Sequence, residues 1–195
     1  TAWASWAQFR AFWEQHVRWA MRPSVSPNLR VTTEQRGETA LVVVDLQNDF
    51  CPGGNLAVAG GDEIVPLVNT MIDDFKHVVL TQDWHPAGHS SFASSHPGKK
   101  PFEQIQMYYG PQTLWPDHCI QGSRGAEFHA GLRRTHAELV VRKGTDPAID
   151  SYSAFFENDR TTPTGLAGYL HERGIDTVVL VGLALFMLTC IGLGL

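Results

Sequence analysis

Ala40-Leu41-Val42-Val43-Val44 runs straight into Asp45-Leu46-Gln47-Asn48-Asp49-Phe50. The first five residues form a short, continuous apolar run rich in β-branched side chains, the pattern of a strand buried on both faces. Working outward, residues 63–76 carry helical spacing through Ile64, Val65, Leu67, Val68, Met71, Ile72 and Phe75. Residues 77–81 read as a second strand, 127–135 as a helix and 138–142 as a third strand. Residues 164–173 form a helix with a Thr cap, closed by Gly174, and 177–181 a fourth strand. This rhythm predicts the α/β class, a parallel sheet with helices on both faces. In such sheets the reactive residues gather at the carboxyl ends of the strands.

Three charged residues fall at those ends: Asp45 after 41–44, Asp83 after 78–80, and Lys143 after 139–142. An acid and a lysine at one sheet mouth couple electrically. The lysine holds the aspartate ionised, or the aspartate takes a proton from a nucleophile. A plain ion pair tying two strand ends is the other reading of the same residues. Asp45 and Lys143 are expected close together, on neighbouring strands, facing one cavity.

A second constellation is Thr81-Gln82-Asp83-Trp84-His85-Pro86-Ala87-Gly88-His89 with Trp115-Pro116-Asp117-His118-Cys119. Side chains two apart in extended chain point the same way, so Asp83 and His85 share a face. Carboxylate oxygen and neutral imidazole nitrogen suit a borderline divalent ion: zinc first, iron or manganese as alternatives. Asp83, His85, His118 and His89 are the candidate ligands.

The chain of 195 residues has an apolar fraction of 43%, a charged fraction of 18% and a net charge of -5. These values describe a globular protein with no electrostatic footprint for nucleic acid. Cys51, Cys119 and Cys190 form neither a CxxC pair nor an even framework. That pattern favours a reducing, cytoplasmic location. The chain begins with Thr1 and reads as a fragment or processed product.

Residues 1–37 read as an accessory segment ahead of a domain at 38–195. Trp3, Trp6, Phe9, Trp13, Val17 and Ala20 lie on one helical stripe, Pro23 and Pro27 break it, and a linker follows. Such a helix can lie on a membrane or dock on a partner, but the accessory reading is preferred. Residues 178–195 carry no charge and have about the length of a minimal span. Their start reads as a strand, which argues against an anchor.

Residues 40–54 and Thr81-Gln-Asp-Trp-His-Pro86, with His89 and Ser91-Phe92, resemble the nicotinamidase branch of the isochorismatase-like cysteine hydrolases. So do Leu114-Trp-Pro-Asp-His-Cys119, Val141-Arg-Lys-Gly144 and Asp150-Ser-Tyr-Ser-Ala-Phe-Phe156. The resemblance covers about residues 39–185 and implies a three-layer α/β/α fold. It implies hydrolysis of nicotinamide to nicotinate and ammonia, in NAD salvage, through a cysteine thioester. It places the catalytic aspartate on Asp45 and the lysine on Lys143. The ligands of one metal ion fall on Asp83, His85 and His118, with His89 the fourth candidate. The pocket walls fall on Phe50, Trp115 and Tyr152. A homo-oligomer stays open.

At the nucleophile the chain departs from the family. Gly182-Leu183-Ala184-Leu185 matches, but Phe186 and Leu188 stand where the family has Asp and Cys. Cys190 comes two residues late, which on a helix turns it by about 200°. With the family's last helix and strand also missing from the sequence, a broken or frameshifted copy is expected. Three readings therefore stand: a nicotinamidase, a related carboxamidase or isochorismatase-like hydrolase, and a catalytically dead metal- and pyridine-binding domain. Cys51 and Cys119 read as structural thiols.

Overall fold

The computed structural model describes residues 38–183. The expected amphipathic segment at 1–37 and Cys190, Leu188 and Phe186 all lie outside the described residues.

Four parallel strands form the central sheet. They are β1 (Glu38–Val44), β2 (His77–Asp83), β5 (Leu139–Lys143) and β6 (Ile175–Gly182), in the order β5-β2-β1-β6. Helix α1 (Val65–Asp74) connects β1 to β2, and α2 (Leu166–Glu172) precedes β6. A short antiparallel hairpin, β3 (Gln104–Met107) with β4 (Gly110–Thr113), stands apart from the sheet.

The alternation along β1 explains the layers. Leu41 and Val43 pack with Val78 and Leu80 against Val65, Val68 and Ile72 of α1. Ala40, Val42 and Val44 pack with Val79 and Val141 against Leu166 and Leu170 of α2. Both faces of the run are thus apolar because both are covered, which is why it lacks the polar-apolar alternation of a half-exposed strand. No helix among the described residues is long and apolar enough to cross a membrane.

Two expectations are corrected. Residues 127–135 form turns, not a helix. Their backbone is spent on the loop after β1: Asn48 donates to the Glu127 carbonyl at 2.9 Å and His129 donates to the Leu46 carbonyl at 2.9 Å. Nor are β1 and β5 neighbours, because β2 lies between them. The Thr164 hydroxyl does accept the Leu166 N–H at 3.3 Å, although the helix itself starts after Gly165 in the left-handed conformation.

Candidate active site

At the carboxyl ends of β1, β2 and β5 the chain buries three charges. Lys143 Nζ lies 2.9 Å from Asp45 Oδ2 and is also paired with Asp83 Oδ1. All three residues are at most 6% exposed. The central position of β2 produces this arrangement: Asp83 pairs in register with Lys143, and Asp45 reaches the same ammonium from the other side. The Ser151 carbonyl accepts a further Lys143 hydrogen bond at 3.1 Å.

Burial would discharge all three groups, and mutual attraction decides what survives. Burial opposes the charge on Lys143, but Asp45 and Asp83 outweigh it and hold the ammonium above the usual lysine range. Burial likewise opposes ionisation of Asp83, yet Lys143, His85 and His118 hold it well below the usual carboxylate range. For Asp45 burial wins and raises its carboxyl, although Lys143 and the Thr81 hydroxyl pull the other way. One carboxylate is thereby locked ionised while its neighbour is tuned toward accepting a proton.

Asp45 adopts a left-handed backbone (φ 48°), a conformation costly for most residues but tolerated by aspartate. Its N–H donates to Thr81 Oγ1 at 3.2 Å, and its Oδ1 accepts the Thr81 hydroxyl at 2.6 Å. Strain held by such local bonds is common at reactive sites.

Beside the charges, Asp83, His85 and His118 bring one ligand atom each to within 4.8 Å of one another. Asp83 Oδ2 lies 3.7 Å from His85 Nε2 and 3.8 Å from His118 Nε2. Each ring is oriented by its other nitrogen: His85 Nδ1 donates to the Gly144 carbonyl at 2.9 Å and His118 Nδ1 to the Pro116 carbonyl at 2.8 Å. That leaves both Nε2 lone pairs free, the tautomer a metal requires. His85 Nε2 is a buried polar atom without a hydrogen-bond partner, and such atoms ask for an explanation. An ion supplies one. Burial lowers the pKa of His118 although Asp83 pulls it up, whereas at His85 the attraction of Asp83 overcomes burial and raises it. Gly144 is needed here, since a Cβ at its position would come within 2.4 Å of His85 Cε1.

His89 does not join this set. Its ring lies 4.4 Å from that of His85, but Nε2 donates to the Asp146 and Ile149 carbonyls and Nδ1 faces the Ser91 hydroxyl at 2.8 Å. It falls instead in a second group, with His85 and Asp150, whose ligand atoms also lie within 4.8 Å of one another, and in this structure its nitrogens brace the loop. Burial and the neighbouring His85 both lower its pKa.

Of the predicted pocket walls, Phe50 meets a histidine, whereas Trp115 and Tyr152 meet each other. The Phe50 ring stands edge-on to His118 at 5.7 Å, and the Trp115 indole donates to the Tyr152 phenol at 3.0 Å. Burial and Asp150 hold that phenol above the usual tyrosine range. Cys51 and Cys119 are buried free thiols, both pushed up by burial, Cys119 strongly. Neither has the character of a reactive thiolate.

Several site residues escape the sequence reading. The Gln47 amide spans Asp83, donating to its carbonyl at 2.9 Å and accepting its N–H at 2.8 Å, so it extends the β1–β2 ladder past the end of β1. Asp150 faces His85 Nε2 at 4.0 Å and is held by Gln112 from β4 at 2.6 Å. Both belong to quoted motifs or their surroundings, but nothing in local spacing marks an amide as a clamp.

Comparison with known proteins decides the family. The Isochorismatase domain family matches residues 39–187. The nicotinamidase of Acinetobacter baylyi is 58% identical over 156 residues, 80% of this chain and 73% of the relative. The chain belongs to the isochorismatase family, in its nicotinamidase branch. Among solved structures, the Acinetobacter baumanii nicotinamidase pyrazinamidase superposes with a TM-score of 0.74 at 61% identity, covering 76% of this chain and 72% of that one. The pyrazinamidase of Pyrococcus horikoshii, solved in complex with zinc, gives 0.57 at 37% identity, covering 75% and 70%.

Proposed function

We propose that this site hydrolyses the carboxamide of nicotinamide to nicotinate and ammonia, as an amidohydrolase of NAD salvage. The carrying observation is the buried Asp45–Lys143–Asp83 cluster set against two oriented imidazoles, in a chain 58% identical to a nicotinamidase.

The residues divide the work by their charge states. Lys143 stays positive and favours a nearby thiolate. Asp45, with its raised carboxyl, takes the thiol proton. The sulfur then attacks the carboxamide carbon, forming a C–S bond. The C–N bond breaks as the nitrogen takes the proton back from Asp45 and leaves as ammonia. Water, deprotonated by the same carboxylate, cleaves the thioester and regenerates the thiol. Trp115, Tyr152 and Phe50 flank the pyridine ring. Asp83, His85 and His118 fit a divalent ion, with zinc the natural match to two imidazoles and one carboxylate. When bound, it supplies a Lewis-acidic point that orients the ring nitrogen and ordered water. His89 supports the loop that carries His85. The residues given roles here all lie in the domain at 38–195, and 1–37 is accessory.

The thiol decides the rate. Leu188 occupies the family's cysteine position and Cys190 lies two residues further on, while attack needs the sulfur within about 3 Å of the carbon. The chain as written is therefore expected to release ammonia from nicotinamide slowly or not at all. A Phe186→Asp, Leu188→Cys variant is expected to gain at least a hundredfold. Equal turnover by the two, surviving Cys190→Ala, would overturn the placement of the nucleophile.

A further inference from the structure

One carboxylate near the site has no part in the chemistry above. Asp49 sits in the 3-10 turn Asn48–Phe50, 6% exposed, with no salt bridge to a cation among the described residues. Its Oδ2 accepts the Cys119 N–H at 2.7 Å and its Oδ1 accepts the Asn55 N–H at 3.1 Å. The fold makes room for it, because a Cβ on Gly125 would lie 2.0 Å from Oδ2.

Cys119 is the residue that connects the two histidines. It directly follows His118, and its carbonyl accepts the His85 N–H at 3.0 Å. It also holds a left-handed backbone (φ 46°), unfavourable for a non-glycine residue unless something enforces it. The bond from Asp49 is made to the peptide N–H between His118 and Cys119, the point where that enforcement acts.

We infer that Asp49 is a positioning residue: through the Cys119 peptide it enforces the turn that sets His85 and His118 at the spacing a metal ion needs. This rests on the reading that Asp83, His85 and His118 hold an ion. Aspartate is required because both carboxylate oxygens accept N–H groups. An asparagine would turn its NH2 group toward one of those donors.

The test uses the full chain and zinc ion, with affinity measured by chelator competition. Asp49→Asn is expected to weaken zinc binding by at least about tenfold, the usual effect of removing an outer partner. Cys119→Gly, which adopts positive φ freely, is expected to restore most of that loss in the Asp49→Asn background. Cys119→Ala removes the thiol without relieving the backbone and is expected to restore none. Each double variant is compared with its own Cys119 single variant. Zinc affinity within about threefold of the parent in Asp49→Asn, or equal behaviour of the Gly and Ala doubles, would overturn the inference. So would an Asp49→Asn, Cys119→Gly protein that does not fold. If the parent itself binds no zinc, the metal reading fails on its own. The metal-free melting temperatures of the same variants then decide: Asp49→Asn is expected to melt roughly 5 °C lower, with Gly recovering more of the drop than Ala. Equal recovery by the two would overturn the inference.

Discussion

The strands β1, β2 and β5 carry ionisable residues at both ends, and the two ends behave differently. At the amino end, Glu38, His77 and Glu138 meet: His77 Nδ1 lies 3.1 Å from Glu138 Oε2 and Nε2 lies 3.7 Å from Glu38 Oε2. Lys76 and Arg173 add pairs at 2.9 and 3.4 Å. At the carboxyl end, Asp45, Asp83 and Lys143 meet at similar distances. The residue types are alike, and water makes the difference. The Lys76 and Glu38 side chains are 67% and 46% exposed, whereas those of Lys143 and Asp45 are 4% and 2% exposed. Solvent screens the outer pairs of the first set into surface stitches around a buried His77. In the second each charge depends on its partners, with burial raising the Asp45 carboxyl against the pull of Lys143.

The sharpest way to break this contrast is Lys143→Met. It leaves two buried carboxylates without their cation and is expected to cost about 3–5 kcal/mol, read from urea unfolding at pH 7. A cost below about 1 kcal/mol would put both ends of the sheet in the same class.

Removing ligands tests the other half of the carboxyl end. A His85→Ala, His118→Ala variant is expected to hold less divalent metal than the parent, measured by elemental analysis of purified protein. Equal metal in variant and parent would reduce the two histidines to packing.

At the amino end the effects are smaller and carry a pH signature. The Tyr169 hydroxyl and His77 hold the Glu138 carboxyl below its usual range. A folded-state value depressed in this way contributes stability above the unfolded-state value, about 4.3. That contribution is lost as pH falls through the folded-state value. Glu138→Gln is therefore expected to cost under about 1 kcal/mol at pH 7, the side chain being partly exposed. The cost should fade as the medium is acidified below the carboxylate range, as parallel unfolding curves of the two proteins would report. A cost that persisted in acid would show that packing, not charge, is involved.

The smallest effect is expected for Lys76→Ala, whose exposed pair with Glu38 should leave the unfolding midpoint unchanged within error. A clear shift would mean that the amino end is less screened than its exposure implies.

Much of this layout is readable in one dimension. The runs 40–44 and 77–81 announce strands buried on both faces, 138–142 announces one by its β-branched centre although Val140 and Arg142 are exposed, and Asp45, Asp83 and Lys143 stand out as the charges that end them. The hairpin Gln104–Thr113 escapes notice because Gln-Ile-Gln-Met and Gly-Pro-Gln-Thr carry little β-branched signal. Residues 127–135 look helical by spacing, but their N–H and C=O groups are taken by the loop after β1. His89 has the motif spacing of a ligand, and only the fold reveals that its Nε2–H goes to two carbonyls while its Nδ1 lone pair takes the Ser91 N–H.

By itself, then, the sequence determined the four strands of the central sheet, the α/β class and the set of chemically capable side chains. Those follow from periodicity and residue type, which are local properties. Tertiary structure alone decided that β2 sits between β1 and β5, so that one lysine serves two aspartates. It also decided that Asp49 grips a peptide 70 residues away beside His118. Both depend on which distant backbone groups meet and on how far water is excluded when they do, and neither quantity is written in the spacing of neighbouring residues.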